Sequence, residues 1–255
     1  MKKYELGLIG YPLGHSFSKK YFTEKFEREN IAGYEYLNFP IESIGRIIDV
    51  LREHPCLVGF NVTIPYKEQI LAYLDEIDEQ AARIGAVNCV RVLRGTGDGK
   101  CGKGIRMKGY NTDAYGFESS LLKMTGDNRP AALVLGTGGA SKAVIAVLAS
   151  LNMPYLTVSR QKGKGDITYD ELSPEIIGKH KLIVNCTPLG TCPVVDSCPP
   201  IDYEAVTPRH YLYDLVYNPS DTLFTRNGRK KGATVISGYA MLVAQAEKGW
   251  AIFSE

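Results

Sequence analysis

The chain has 255 residues, 44% of them hydrophobic and 23% charged, with a formal net charge of +2. These values describe an ordinary globular protein with enough chain for one large domain or two small ones. They give no reason to expect nucleic acid or a membrane as a partner, and no apolar run approaches a bilayer span.

In chain order, Tyr4 to Gly10 reads as a short apolar strand that Tyr11-Pro12-Leu13-Gly14 breaks. His15-Ser16-Phe17-Ser18 then opens a helix carrying Tyr21, Phe22 and Phe26 and ending near Asn30. Tyr34 to Phe39 is a second strand, and Ile44, Ile47, Ile48 and Leu51 share one face of a second helix. Leu57 to Thr63 is a third strand, halted by Pro65. Lys67 follows at what reads as a strand-to-helix corner, before an amphipathic stretch from Glu68 to Leu74, and Ile70 to Ile84 carries acidic helical stretches. Gly85 to Val90 returns as strand, and 94–109, rich in glycine and lysine, reads as a loose hairpin or surface loop. A helix from Ala114 to Lys123 precedes the linker-like Gly126-Asp127-Asn128-Arg129-Pro130. This alternation predicts an α/β fold with a mostly parallel sheet in the first part.

Beyond the linker the alternation restarts more cleanly. Ala131 to Leu135 is an apolar strand, Gly136 to Ala143 a glycine-containing loop, and Val144 to Leu151 an apolar helix. Strands follow at Tyr155 to Val158, Leu182 to Val184, Tyr211 to Val216 and Ala233 to Ile236, with helices over Asp221 to Lys231 and Tyr239 to Phe253. The six cysteines include no C-x-x-C pair, and the spacing of Cys186, Cys192 and Cys198 fits no ligand template, so free thiols and no metal are expected. Met1-Lys2-Lys3 leads into Tyr4 without a signal-peptide core, which points to a cytoplasmic protein.

The loop Gly136-Thr137-Gly138-Gly139-Ala140-Ser141 lies between a buried strand and a helix, where bare backbone can approach a pyrophosphate at a helix N-terminus. The third glycine of the dinucleotide fingerprint is replaced by Ser141, so a plain tight turn is the competing reading. The following strand ends in Ser159-Arg160, with Lys162 and Lys164 behind, where NAD sites usually place an acid for the ribose 2′-hydroxyl. A guanidinium pairs with a 2′-phosphate and a carboxylate repels it, which favours NADP over NAD. In the first part, Ser16 and Ser18 at a helix start can offer hydroxyls and N–H groups to a carboxylate, or can serve simply as caps. Thr63, Lys67, Asn88, Asn111 and Asp113 all fall at strand ends or just beyond, which a parallel sheet gathers on one edge. A Lys–Asp pair there suits proton transfer to a substrate hydroxyl.

Taken together, GYPLGHSFS (Gly10 to Ser18), NVTIPYK (Asn61 to Lys67), GAVN (Gly85 to Asn88), GYNTDAYG (Gly109 to Gly116), LGTGGASKA (Leu135 to Ala143), NCTPLG (Asn185 to Gly190), DLVYNP (Asp214 to Pro219) and SGYAMLVAQA (Ser237 to Ala246) resemble the shikimate dehydrogenase family over almost the whole chain. The resemblance implies an N-terminal α/β substrate-binding domain (1–115), a Rossmann NADP-binding domain (116–237) and a last helix (238–255) returning to the first domain. It implies Lys67 and Asp113 as the catalytic pair, Ser16 and Ser18 on the substrate carboxylate with Tyr217 near it, and Thr63, Asn88 and Gln245 around the ring hydroxyls. For the cofactor it implies Gly136, Gly138, Gly139 and Ala140 on the pyrophosphate and Ser159, Arg160 and Lys162 on the 2′-phosphate. Thr187, Val216, Gly238 and Met241 would line ribose and nicotinamide. The expected ligands are NADP and a small-molecule substrate, with a monomer or homodimer as the assembly. The chain departs from the family pattern at Ser159-Arg160-Gln161, where Asn-Arg-Thr is common, and at Thr191, where methionine is usual.

Overall fold

Strand β1 (Tyr4–Gly10) alternates Leu6 and Leu8 on one face with Ile9 on the other, and apolar layers cover both faces. The computed structural model describes residues 4–14, 17–100 and 102–255. Contacts divide the chain into a first unit, Met1–Thr112 with Ala246–Glu255, and a second, Asp113–Gln245.

The first unit follows β1 with α1 (Phe17–Arg28), β2 (Tyr34–Pro40), α2 (Ile47–Glu53), β3 (Leu57–Val62), β4 (Glu76–Ile77), α3 (Glu79–Ile84), β5 (Cys89–Gly99) and β6 (Gly102–Tyr110). Its sheet has the order β2-β1-β3-β5-β6-β4. The β1–β2, β1–β3 and β4–β6 pairs are parallel, whereas β3–β5 and β5–β6 are antiparallel. The sheet is therefore mixed, not mostly parallel. Two pairings are the cause: β5 runs antiparallel to β3 through Cys89–Arg91, and the glycine- and lysine-rich stretch continues β5 and β6 as a long paired hairpin, registered from Cys89↔Tyr110 to Gly99↔Gly102, whose strands are antiparallel by construction.

The stretch read as helical from Ile70 to Ile84 is a 3₁₀ turn (Gln69–Tyr73), then β4, then α3, so no α-helix follows Lys67 directly. The carboxylate of Asp75 draws this segment onto the hairpin, accepting from Met107 N at 2.7 Å and Lys100 N at 2.8 Å. Asp78 then caps α3 by accepting from Gln80 N and Ala81 N, and Gly85, at φ 71°, ends it in the left-handed conformation.

The chain crosses into the second unit along α4 (Thr112–Thr125) and returns along α8 (Tyr239–Ser254). The end of α8 packs onto the first sheet as the resemblance implied. Trp250 sits 5.4 Å from the Phe26 ring and 5.0 Å from that of Tyr34, and Phe253 fills the space over Gly59, where an added Cβ would lie 2.3 Å from its ring. Burying such a phenylalanine is worth about 2–3 kcal/mol. Lys25, 4% exposed, reaches Glu247 at 2.9 Å and Glu29 at 2.8 Å, and Glu247 also accepts from the Tyr21 hydroxyl.

The second unit runs β7 (Ala132–Leu135), α5 (Gly139–Ser150), β8 (Tyr155–Ser159), β9 (Ile167–Thr168), α6 (Pro174–Lys179), β10 (Leu182–Asn185), β11 (Tyr211–Asp214), α7 (Leu223–Lys230) and β12 (Thr234–Ile236). All its strand pairs are parallel, in the order β12-β11-β10-β7-β8-β9. Counted from β7 this is 3-2-1-4-5-6, the doubly wound dinucleotide-binding arrangement, with its switch point between β7 and β10. Two of its elements, β9 and α6, carry too little periodicity to be read from sequence.

His210, 1% exposed, anchors the turn before β11: Thr207 N donates to Nδ1 at 3.0 Å, which leaves the proton on Nε2 to donate to Ile177 O at 3.1 Å. Burial, helped by the charges of Lys181 and Arg209, lowers its pKa below the ordinary imidazole value. The unfolded chain therefore takes up the proton first as pH falls below about 6.5, and stability decreases from there downward. Thermal midpoints measured from pH 7.5 to 5 should fall more steeply for the native chain than for His210→Gln. Parallel curves would remove His210 as the source.

Candidate active site

In the first unit the candidate residues are held by one buried polar chain. The Tyr36 hydroxyl donates to Asn61 Oδ1 at 2.8 Å, and Asn61 Nδ2 donates to the Asn88 carbonyl at 3.3 Å. The Asn88 carboxamide gives Nδ2 to Thr112 Oγ1 at 3.0 Å and takes Thr112 N on Oδ1 at 2.7 Å. Ser18, at the start of α1, hydrogen-bonds the same Tyr36 hydroxyl, whose pKa burial raises strongly. Tyr36, Asn61 and Asn88 are 3%, 5% and 3% exposed, so each bond replaces water that cannot reach these groups. The chain thus connects Ser18 to Asn88 across β2 and β3. Ser16 lies outside the described residues.

Thr63 and Lys67 leave β3 on a braced segment. Thr63 N donates to Ile9 O and Val87 N to Lys67 O at 2.9 and 2.8 Å, while Tyr66, 3% exposed, gives its hydroxyl to Ile41 O at 2.7 Å. Asn111 Nδ2 donates to Ala86 O at 2.9 Å, tying the stretch before α4 to Gly85–Asn88. The segments carrying Thr63, Lys67 and Asn88 are therefore one backbone-bonded cluster at the end of β3, with the Lys67 side chain half-buried. Sequence reasoning gave no role to Tyr36 or Asn61. Asn61 stands inside one of the family-like motifs, but its partners, Tyr36 on β2 and Asn88 just before β5, are not sequence neighbours.

Asp113, Tyr217 and Gln245 belong to the second unit. Asp113 occupies the first turn of α4 and Tyr217 is exposed beyond β11. Gln245, 7% exposed, donates from Nε2 to Leu242 O at 3.0 Å. Gly116 lets α4 and α8 meet, since a Cβ there would lie 2.6 Å from Met241 O and 3.1 Å from Gln245 Cβ.

The residues of the glycine loop fit a dinucleotide. Gly136 turns the chain at φ 103°. Gly138 caps α5 with no side-chain bond, α5 has no acid in its first turn, and an added Cβ at Gly138 or Gly139 would meet nothing. Internal packing therefore does not demand glycine there, whereas close approach of a phosphate to the helix N-terminus does. Ala140 is exposed beside them. At the end of β8 Arg160 and Lys162 are exposed, while Ser159, 6% exposed, accepts from Gln161 N at 3.2 Å and so shapes the turn that presents Arg160. Thr187 follows β10, and Val216 follows β11, which ends at Asp214 rather than Val216 because the Asp214 carboxylate turns the chain there. Gly238 permits the close pass of two segments, since a Cβ would lie 2.2 Å from Leu215 O.

Residues 8–90 match the family model described as the shikimate dehydrogenase substrate binding domain. The chain is 35% identical to the shikimate dehydrogenase (NADP(+)) of Methanococcus aeolicus over 98% of its own length and 91% of the relative's. The chain belongs to the shikimate dehydrogenase family. The corresponding protein of Clostridium beijerinckii is 36% identical over the same shares of the two chains. Among solved structures, the family member from Thermus thermophilus, in complex with NADP(H) and shikimate, superposes with a TM-score of 0.80 at 29% identity, covering 98% of this chain and 93% of that one. The family likeness thus extends over both units and includes the doubly wound sheet that β7 to β12 form.

Proposed function

We propose that this chain is an NADP-dependent shikimate dehydrogenase, which reversibly reduces 3-dehydroshikimate to shikimate on the route to chorismate and the aromatic amino acids. The observation that carries this reading is the full-length likeness: a substrate-domain match and a dinucleotide sheet occur in one chain that aligns end to end with NADP(+)-dependent relatives. In this reading 1–115 holds substrate, 116–237 holds NADP, and 238–255 returns to the first domain. The same reading has NADP and a small-molecule substrate as the ligands of a cytoplasmic monomer or homodimer.

When bound, the nicotinamide supplies the hydride that is exchanged with the substrate carbon. The Lys67 ammonium faces the oxygen that gains negative charge as the carbonyl is reduced, stabilises that charge and gives it a proton. Asp113 holds a ring hydroxyl and completes the catalytic pair. Ser16 and Ser18 hold the carboxylate with Tyr217 near it, and Thr63, Asn88 and Gln245 orient the ring. The bare start of α5 takes the pyrophosphate through Gly136, Gly138, Gly139 and Ala140. Ser159, Arg160 and Lys162 take the 2′-phosphate, and Thr187, Val216, Gly238 and Met241 line the ribose and nicotinamide.

The test is oxidation of shikimate by the purified protein, followed through the absorbance of reduced cofactor, with NADP+ and NAD+ in parallel. Turnover with NADP+ is expected and little with NAD+. A folded protein inert with both sinks the reading.

A further inference from the structure

Strands β10 and β11 end in two side-chain turns of the same form. Asn185 Oδ1 accepts from Thr187 N at 3.0 Å and from Thr187 Oγ1 at 2.6 Å, while Asp214 Oδ1 accepts from Val216 N at 3.0 Å. Each is an Asx turn, in which a side-chain oxygen captures the backbone N–H two residues on. Asn185 and Asp214 are register partners in the sheet, and Asn185 Nδ2 donates to Asp214 Oδ1 at 2.9 Å, so the two turns are coupled through one carboxylate oxygen.

The second oxygen of Asp214 accepts from Thr222 Oγ1 at 2.5 Å, and Thr222 in turn caps α7 by accepting from Thr225 N at 3.2 Å. Asn185, Asp214 and Thr222 are each 0% exposed. A carboxylate so removed from water is costly, and burial raises its pKa against the pull of its three donors. For stability alone a well-packed apolar side chain would serve at least as well. What an apolar side chain cannot do is hold the N–H groups beyond two strand ends in fixed directions.

We propose that Asp214 is a positioning residue of the cofactor site, setting Val216 directly and Thr187 through Asn185. The proposal rests on the reading above, in which those two residues line the ribose and nicotinamide. The network also defines what Thr187 can offer. Its hydroxyl hydrogen goes to Asn185 Oδ1, and its oxygen already accepts from Leu189 N at 3.3 Å. One lone pair is left, so Thr187 is held as an acceptor, suited to a ribose hydroxyl or a carboxamide N–H of the ligand.

The test compares Asp214→Ala, which removes both acceptors, with Asp214→Asn, whose Oδ1 can still take Asn185 Nδ2 and Val216 N. The dissociation constant for NADP+ alone, KM for shikimate at saturating cofactor and the thermal midpoint are measured for each. Asp214→Ala is expected to weaken NADP+ binding at least about tenfold while KM for shikimate stays within about twofold. Asp214→Asn is expected to recover NADP+ binding to within about threefold of the native chain. Native affinity for NADP+ in folded Asp214→Ala, or equal losses for cofactor and substrate, overturns the proposal. If Asp214→Ala does not fold, Asn185→Ala, which removes the Thr187 turn and one donor to Asp214 but leaves the Val216 N–H on Asp214, takes its place, with a loss of at least about threefold expected and native affinity counting against. A native chain that binds no NADP+ would instead defeat the underlying functional reading.

Discussion

Replacing Lys67 with alanine is expected to lower kcat for shikimate oxidation by about 10²-fold or more, with a much smaller change in KM. The backbone at this position is braced from three sides, by Val87 N on the Lys67 carbonyl, by Tyr66 buried against Ile41 and by Thr63 paired to β1. Truncating a half-buried side chain on so constrained a segment should leave the fold intact, so the loss reads out chemistry. An interaction formed only as charge develops on the substrate oxygen appears in kcat and kcat/KM together. A raised KM with unchanged kcat would reduce Lys67 to a binding residue. Normal KM with the same loss in Lys67→Arg would instead place the weight on proton transfer, since a guanidinium keeps the charge but does not give up its proton.

Replacing Arg160 with alanine is expected to lower kcat/KM for NADP+ by about 10- to 100-fold and to leave the weak reaction with NAD+ unchanged. A charge-assisted bond to a phosphate is worth about 1.5–3 kcal/mol, which corresponds to that range. The exposure of Arg160 argues for the lower end, and raising ionic strength should weaken the native preference for NADP+ through screening. Ser159 also supports this arginine as the acceptor that closes its turn. If Arg160→Ala keeps its preference for NADP+, discrimination resides in Lys162 or elsewhere, and the reasoning from the missing acid at the end of β8 fails.

Much of this protein is legible along the chain because the signals are local. The strand, glycines and helix at 132–150, the basic residues closing β8, the proline stop after β3 and the amphipathic closing helix each depend on neighbours a few residues away. Covalent geometry, turn preference and side-chain periodicity act over that distance. What the tertiary structure alone decided is which distant segments meet. The Gly/Lys-rich stretch reads equally as loop or hairpin until its two strands pair with each other, and the antiparallel seating of Cys89–Arg91 on β3 makes the first sheet mixed. The acidic stretch after Lys67 has helical character until Asp75 binds the backbone of the hairpin 32 residues on, at Met107. Tyr36 and Asn61, and likewise Asn185 and Asp214, gain their roles only from strand register, being 25 and 29 residues apart. No short-range pattern encodes such pairs, because the free energy that selects them comes from burying the sheet faces and satisfying polar groups shut away from water.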